Sequence, residues 1–284
     1  MNECFKTLVF SSGGVHGLLL LGAAKELVEQ DVISSVTHYI GCSVGSIICG
    51  ILACKIDPLT VISDYLSLDI CDWNNRISPV EGLIKSARFR IFLNNLFGEK
   101  MLKDVPSRLT FTTLNLTKKK LLYIDTTTHP NIKLVDAIMM SCSIPFLFPI
   151  IKHQNDIIVD GGITDPFPIH KTENPNETLG FNIVAPFFTE GDNPNSWLSI
   201  SYMIYDAIRA QIRNLQDISK YNVLHIPSIP ELKNIIRCSP EEKVFLFHKG
   251  KNFTKVYLQA YAERLDMQNN DVNVYQEERD SEIQ

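Results

Sequence analysis

Three short glycine-bearing segments of this chain hold residue types that could carry out acyl transfer. The first is Gly41-Cys42-Ser43-Val44-Gly45, a G-x-S-x-G run between a β-rich apolar stretch and an apolar helical one. A sharp strand-to-helix turn exposes a serine hydroxyl, and glycine two residues to either side lets neighbouring backbone pass without clashing. The start of the following helix favours negative charge, which makes Ser43 a candidate nucleophile. The second segment is Ser12-Gly13-Gly14-Val15-His16-Gly17. Glycines at a helix start can turn several backbone N–H groups toward one point, and in acyl transfer such an anion cradle is an oxyanion hole. The third is Asp160-Gly161-Gly162, directly after Ile157-Ile158-Val159. An aspartate at the C-terminal end of a strand is expected at the active-site edge of a parallel sheet, where Asp160 could serve as a base.

Each segment also has a plainer reading. A glycine-flanked serine can be an ordinary turn, and a lone D-G-G usually is one. The second segment could be a dinucleotide phosphate turn, but Ser12 breaks G-x-G-x-x-G and no acidic residue closes the second strand where that motif needs one. Cys42 reads as a small packing residue, since a thiol nucleophile needs a nearby base and a lowered pKa. A conventional triad would call on His225 or His248, the late-chain histidines, as in α/β-hydrolases. His225 sits at a strand end and His248 on an amphipathic helix, so ordinary structural roles are favoured for both. Asp165, followed by Pro166 and Pro168, reads as part of a loop that shapes a rim.

The elements that must position these residues alternate. Thr7 to Phe10 and Thr37 to Gly41 read as strands, and Leu18 to Glu29 and Ser46 to Cys54 as helices, a β-turn-α order that implies a parallel sheet wrapped by helices. Asp57-Pro58 reads as an N-cap with proline at N1, opening a helix through about Leu66. Leu109 to Leu116 and Leu121 to Asp125 flank Lys118-Lys119-Lys120 as a hairpin. Ile132 to Cys142 and Trp197 to Leu215 are helical, and Leu179 to Val184 and Val223 to Ile226 are short strands. Glu241 to Met267 is a closing helix, broken or kinked near Gly250. The expected fold is α/β, a three-layer sandwich with a mainly parallel central sheet, a nucleophile elbow after an early strand, and helices on both faces. Residues 1–267 read as a single domain, with 69–104 as a lid or insertion. The polar, acidic residues 268–284 read as a loose, disordered tail.

The 284 residues are 45% hydrophobic and 21% charged, with a net charge of -5, which leaves no electrostatic footprint for nucleic acid. Seven cysteines make an odd count without C-x-x-C spacing, which argues for a reducing compartment and against a disulfide framework or a zinc site. There is no basic n-region before an apolar run and no apolar stretch long enough to span a bilayer, so a cytoplasmic chain is expected.

Taken together, the three segments resemble the patatin-like phospholipases in order and spacing. The flanks agree: Ser141-Cys142-Ser143-Ile144-Pro145-Phe146-Leu147-Phe148-Pro149 is similar to the family's small-residue segment leading to Phe-Pro, and Asp165-Pro166-Phe167-Pro168 to its D/N-x-x-P continuation. The resemblance implies a Ser-Asp dyad without a histidine. Ser43 would attack an ester carbonyl and Asp160 would accept its proton. Backbone N–H groups of Gly13, Gly14, Val15 and Val44 would hold the oxyanion, supported by Gly17, Gly41, Gly45, Gly161 and Gly162. No metal or cofactor is required, and the partner would be a phospholipid or lysophospholipid substrate reached by peripheral contact with an intracellular membrane. Transfer of the acyl group to another alcohol, or lipid binding without catalysis, stays open at this point. One departure stands out: the family's turn usually begins with Gly and carries Arg or Lys before its last Gly, where this chain has Ser12 and His16. Backbone donors survive both changes, but a neutral histidine supplies less positive charge.

Overall fold

The computed structural model describes residues 5–66, 86–184, 197–227, 229 and 238–282. Strand β1 (Thr7–Phe10) is buried at all four positions, as a strand covered on both faces must be. It is followed by α1 (Gly17–Glu29), β2 (His38–Cys42), α2 (Val44–Ala53) and α3 (Pro58–Leu66). Asp57 caps α3 as expected, its carboxylate accepting from the Leu59 N–H at 3.0 Å. Next come α4 (Ser86–Phe97), the antiparallel hairpin β3 (Arg108–Asn115) and β4 (Lys120–Asp125), and α5 (Leu134–Ser141). The chain continues through β5 (Ile151–His153), β6 (Asp156–Asp160), β7 (Thr178–Ile183), α6 (Trp197–Leu215), β8 (Asn222–Ile226) and α7 (Pro240–Glu282).

The eight strands form one mixed sheet in the order β5-β6-β3-β2-β1-β7-β8, with β4 also on β3. Strands β3, β2, β1, β7 and β8 run parallel to one another, while β4 and β6 pair antiparallel with β3 and β5 pairs antiparallel with β6. Side chains alternate across the strands. Leu8, Phe10, Tyr39, Phe111 and Phe181 face a large core shared with α1, α2, α5 and α7. Val9 and Ile40 face a smaller cluster completed by Phe167 and Ile169.

The arrangement of β6 departs from the sequence expectation. Asp160 does not end a parallel strand, because β6 runs antiparallel to β3. Strand β2 pairs with residues 108–112 of β3 and β6 with residues 113–115, while β4 takes residues 110–115 from the opposite side. Strands β2 and β6 therefore lie end to end along one edge of β3, and their C-termini meet.

Two expectations about the helices also change. Gly250 is not a break, since α7 is one helix from Pro240 to Glu282. A Cβ on Gly250 would lie 1.9 Å from the Leu19 carbonyl oxygen, and one on Gly22 would lie 1.9 Å from that of Phe247. The two glycines let the backbones of α1 and α7 touch where they cross. Residues 268–282, expected to be a loose tail, continue α7 as helix. Helix α4 lies inside the expected lid, yet Phe89, Leu93 and Phe97 seat it in the main core. Residues 69–85 of the expected lid lie outside the described residues.

Candidate functional site

Ser43 stands between β2 and α2 with φ 54° and ψ −125°, a backbone conformation costly for any residue with a Cβ. The surroundings hold it there. The Ser43 N–H donates to Ser141 Oγ at 2.9 Å, and Ser141 Oγ donates to the Thr112 carbonyl at 2.9 Å, tying the turn to α5 and β3. A Cβ on Gly45 would fall 2.3 Å from the Phe10 carbonyl oxygen, and one on Gly17 would fall 2.1 Å from Val44 Cγ2. Only hydrogen at these positions lets the start of α2 rest on the end of β1 and against the Gly13–Gly17 turn.

The end-to-end strands explain how a residue far along the chain reaches Ser43. Cys42 pairs with Thr112, and Asp160 pairs with the next residue, Thr113. Asp160 is fully buried. Its Oδ1 accepts from the Gly162 N–H at 2.6 Å and lies 3.9 Å from the Cys42 thiol, while Oδ2 is buried without a close hydrogen-bond partner. Burial pushes its pKa up to about 6, against the opposing pull of the Ser43 hydroxyl, the Gly162 amide and the Arg209 charge. Burial also raises the Cys42 thiol well above its ordinary range, so it stays neutral beside the carboxyl.

The glycine-rich turn lies across from this pair. Gly14 has φ 54°. Among the described residues, no acceptor takes the backbone N–H of Gly13, Gly14, Val15 or Val44. Gly13 abuts Ile183, Gly41 abuts Gly45, Gly161 abuts Thr112, and Gly162 lies beside the Tyr205 hydroxyl and Ser12. The contacts of Gly17 with Val44 and of Gly162 with Ser12 bring the three glycine-bearing segments into one corner at the carboxyl ends of β1 and β2. His16 is buried there, and its pKa is lowered by burial and then by Arg209, which keeps the ring neutral.

Several residues of this corner have no part in the sequence reading. Ser141 is visible there only as one member of a small-residue run. Tyr205, Asp206 and Arg209 come from α6 and carry no local motif. Arg209 is 1% exposed, pairs with Asp206 at 3.4 Å and reaches the Ser12 carbonyl at 3.5 Å across 197 positions of sequence. The triad histidines stay apart. His225 is exposed on β8, three strand spacings from β2, or about 14 Å. His248 is exposed on α7. Among the described residues no group of three or more His, Cys, Asp or Glu could hold a metal ion. The five described cysteines are free. No described helix is long and apolar enough to cross a membrane.

A mixed α/β sheet with a serine elbow facing a glycine turn defines the class, and sequence comparison supplies the family. Residues 8–172 match the patatin-like phospholipase family, and the chain belongs to it. It is similar to the probable lipid hydrolase 463L of Invertebrate iridescent virus 6, 25% identical over 265 residues that cover 87% of each chain. It is also similar to the uncharacterized protein YqhO of Bacillus subtilis, 24% identical over 89% of this chain and 98% of that one. Among solved structures, VipD from Legionella pneumophila aligns with a TM-score of 0.52 at 15% identity, covering 90% of this chain and 67% of that one. The type III effector protein ExoU aligns with a TM-score of 0.51 at 13% identity, covering 91% of this chain and 53% of that one. At these identities the two structures establish the fold alone. Family membership supports lipid acyl ester hydrolysis as the general activity.

Proposed function

We propose that this chain hydrolyses fatty-acyl esters of phospholipids or lysophospholipids through a Ser43–Asp160 dyad. The meeting of β2 and β6 over Thr112 and Thr113 supports this reading, because a strained serine and a buried carboxyl come together there. As Ser43 Oγ attacks the ester carbonyl, Asp160 takes its proton, and the N–H groups of Gly13, Gly14, Val15 and Val44 receive the developing oxyanion. Collapse of the tetrahedral intermediate expels the alcohol, which leaves with the proton from Asp160. Water then gives a proton to Asp160 and attacks the acyl-Ser43, and the fatty acid departs as Ser43 recovers its proton. Dyad contacts that are long in a free enzyme tighten when substrate binds.

Access to lipid would come through α6. Ile200, Ile204 and Ile208 recur every four residues on its outer face and are 48%, 57% and 41% exposed. Its other face borders the site through Tyr205 and Arg209, so an outer face resting on a lipid surface would bring that surface to the dyad. Ile204→Glu should weaken co-flotation with phosphatidylcholine vesicles while leaving cleavage of a short, soluble ester unchanged.

The primary test is labelling with an acyl fluorophosphonate, read by intact mass and peptide mapping. A single adduct on Ser43, absent from Ser43→Ala, is expected. A folded wild type that takes no label and leaves esters intact would overturn the reading and move the weight to lipid binding without catalysis.

A further inference from the structure

Arg209 is among the most deeply buried large side chains in the molecule, although it is a cation. Burying a guanidinium costs several kcal/mol unless it is paired and hydrogen-bonded, so its position calls for a cause. Its surroundings are informative. Asp206, one turn earlier on α6, lies 3.4 Å from Nη1, and the Tyr205 ring centroid is 5.7 Å from the guanidinium carbon. Nη2 points at the Ser12 carbonyl oxygen, 3.5 Å away, the outer limit of a hydrogen bond.

The Ser12 carbonyl shares its peptide unit with the Gly13 N–H. That unit is held from several directions. The Ser12 N–H donates to the Pro166 carbonyl at 2.8 Å, and Ser11 Oγ donates to the Ser12 carbonyl at 3.0 Å. Ser11 Oγ in turn accepts from the Ile183 N–H at 2.9 Å. We propose that Arg209 is a positioning residue for ester cleavage, which fixes the Ser12–Gly13 peptide plane and polarises it so that the Gly13 N–H becomes a stronger oxyanion donor. This rests on the Ser43–Asp160 reading given above. A positive charge at the carbonyl end of a peptide draws electron density from its N–H, and linked hydrogen bonds strengthen one another. The same charge acts on the carboxyl side of the corner, where Arg209 favours ionised Asp160.

A purely structural pair with Asp206 is the competing account, and a pH profile separates the two. The charged or titratable groups that face Arg209 among the described residues include Asp206, Arg213, His16, Asp160 and Cys42, with Tyr205 against the guanidinium. Asp160 is faced by Ser43, Cys42, Cys142, the Gly162 amide and Arg209. Two variants change this charge in different ways. Arg209→Met combined with Asp206→Asn removes the pair without leaving a buried lone carboxylate. Asp206→Asn alone keeps the shape and removes one negative charge from beside the arginine.

The experiment is ester turnover and Ser43 fluorophosphonate labelling from pH 5 to 9, with thermal unfolding measured alongside. For the double variant we expect kcat to fall on the order of tenfold with KM little changed, a weaker effect than losing an oxyanion donor outright. Its acid limb should move to higher pH. For Asp206→Asn the acid limb should move to lower pH with kcat kept or raised, and Arg209→Lys should recover part of the lost rate. Unchanged limbs and unchanged kcat, with only the unfolding temperature lowered, would overturn the inference. The isosteric Asp206→Asn decides between the two accounts even if the double variant does not fold. A wild type that takes no label at all would instead sink the dyad reading, and this inference with it.

Discussion

Asp125 and Asp160 are both buried, and each ends a strand that pairs with β3, yet their acidities diverge. Burial would raise both. At Asp125 it is outweighed by donors: Thr110 Oγ1 at 2.5 Å, Thr127 Oγ1 at 2.5 Å, the Thr127 N–H at 2.8 Å and Arg108 Nε at 3.0 Å. Together they hold its pKa at about 2. Asp160 has the Gly162 N–H and the nearby Ser43 hydroxyl, one oxygen lacks a close partner, and its pKa rises to about 6. A buried carboxylate with all its lone pairs engaged keeps its charge and ties the sheet together. One left short of donors can accept a proton near neutral pH, which is what a base for a serine must do.

The largest effects should follow from breaking the second of these sites. Ser43→Ala and Asp160→Asn should each lower ester turnover by several orders of magnitude with the fold intact, as circular dichroism and steady-state kinetics would report. In wild type, kcat/KM should fall as pH drops through about 6, because a protonated Asp160 has no capacity to receive the Ser43 proton.

Stability should separate the two aspartates with opposite signs. Asp125→Ala removes a buried carboxylate that accepts from Thr110, Thr127 and Arg108, although Thr110 keeps His38 and Arg108 keeps Glu173, so it should cost on the order of 2 kcal/mol in urea unfolding at pH 7. Asp160 holds its proton more tightly in the folded than in the unfolded state. Relative to an ordinary aspartate, its stability is therefore kept below about pH 4 and lost as pH rises through about 6. Asp160→Asn should accordingly stabilise the protein at pH 8 by on the order of 2 kcal/mol, and the gain should vanish at pH 4. A destabilised Asp160→Asn at pH 8 would mean that the carboxylate is better satisfied than its surroundings indicate. The smallest effect belongs to the distant histidines: His225→Ala and His248→Ala should leave turnover within about twofold, as surface changes away from the site usually do.

The corner is legible in the sequence where a residue's role depends on its immediate neighbours. Gly41 to Gly45 specifies the elbow, and Gly13 to Gly17 the facing turn, because each needs close backbone approach within a few residues. The paths into the corner are not legible. The order of apolar runs does not reveal that β6 runs antiparallel, and its short partner β5 has only half-buried and exposed residues, so it carries little hydrophobic pattern. Arg209 is hidden for a related reason. An arginine in an amphipathic helix looks like a surface residue until the helix is docked and its inward face proves to carry Asp206 and Arg209 while isoleucines face outward. Gly250 misleads because a glycine inside a helical pattern signals a break or a crossing with equal force until the partner helix is seen.

The abutment of β2 and β6 on β3 also bears on how this protein can change. The spacing of Ser43 and Asp160 is set by two successive residues of one strand, Thr112 and Thr113, and not by the lengths of the loops between them. Insertions or deletions in those loops should leave the dyad untouched as long as the three-residue pairing of β6 with β3 survives. A slip of one residue in that pairing would instead turn Asp160 to the opposite face of the sheet. The active corner is thus permissive toward length and strict toward register, which leaves the surrounding loops free to diversify around fixed chemistry.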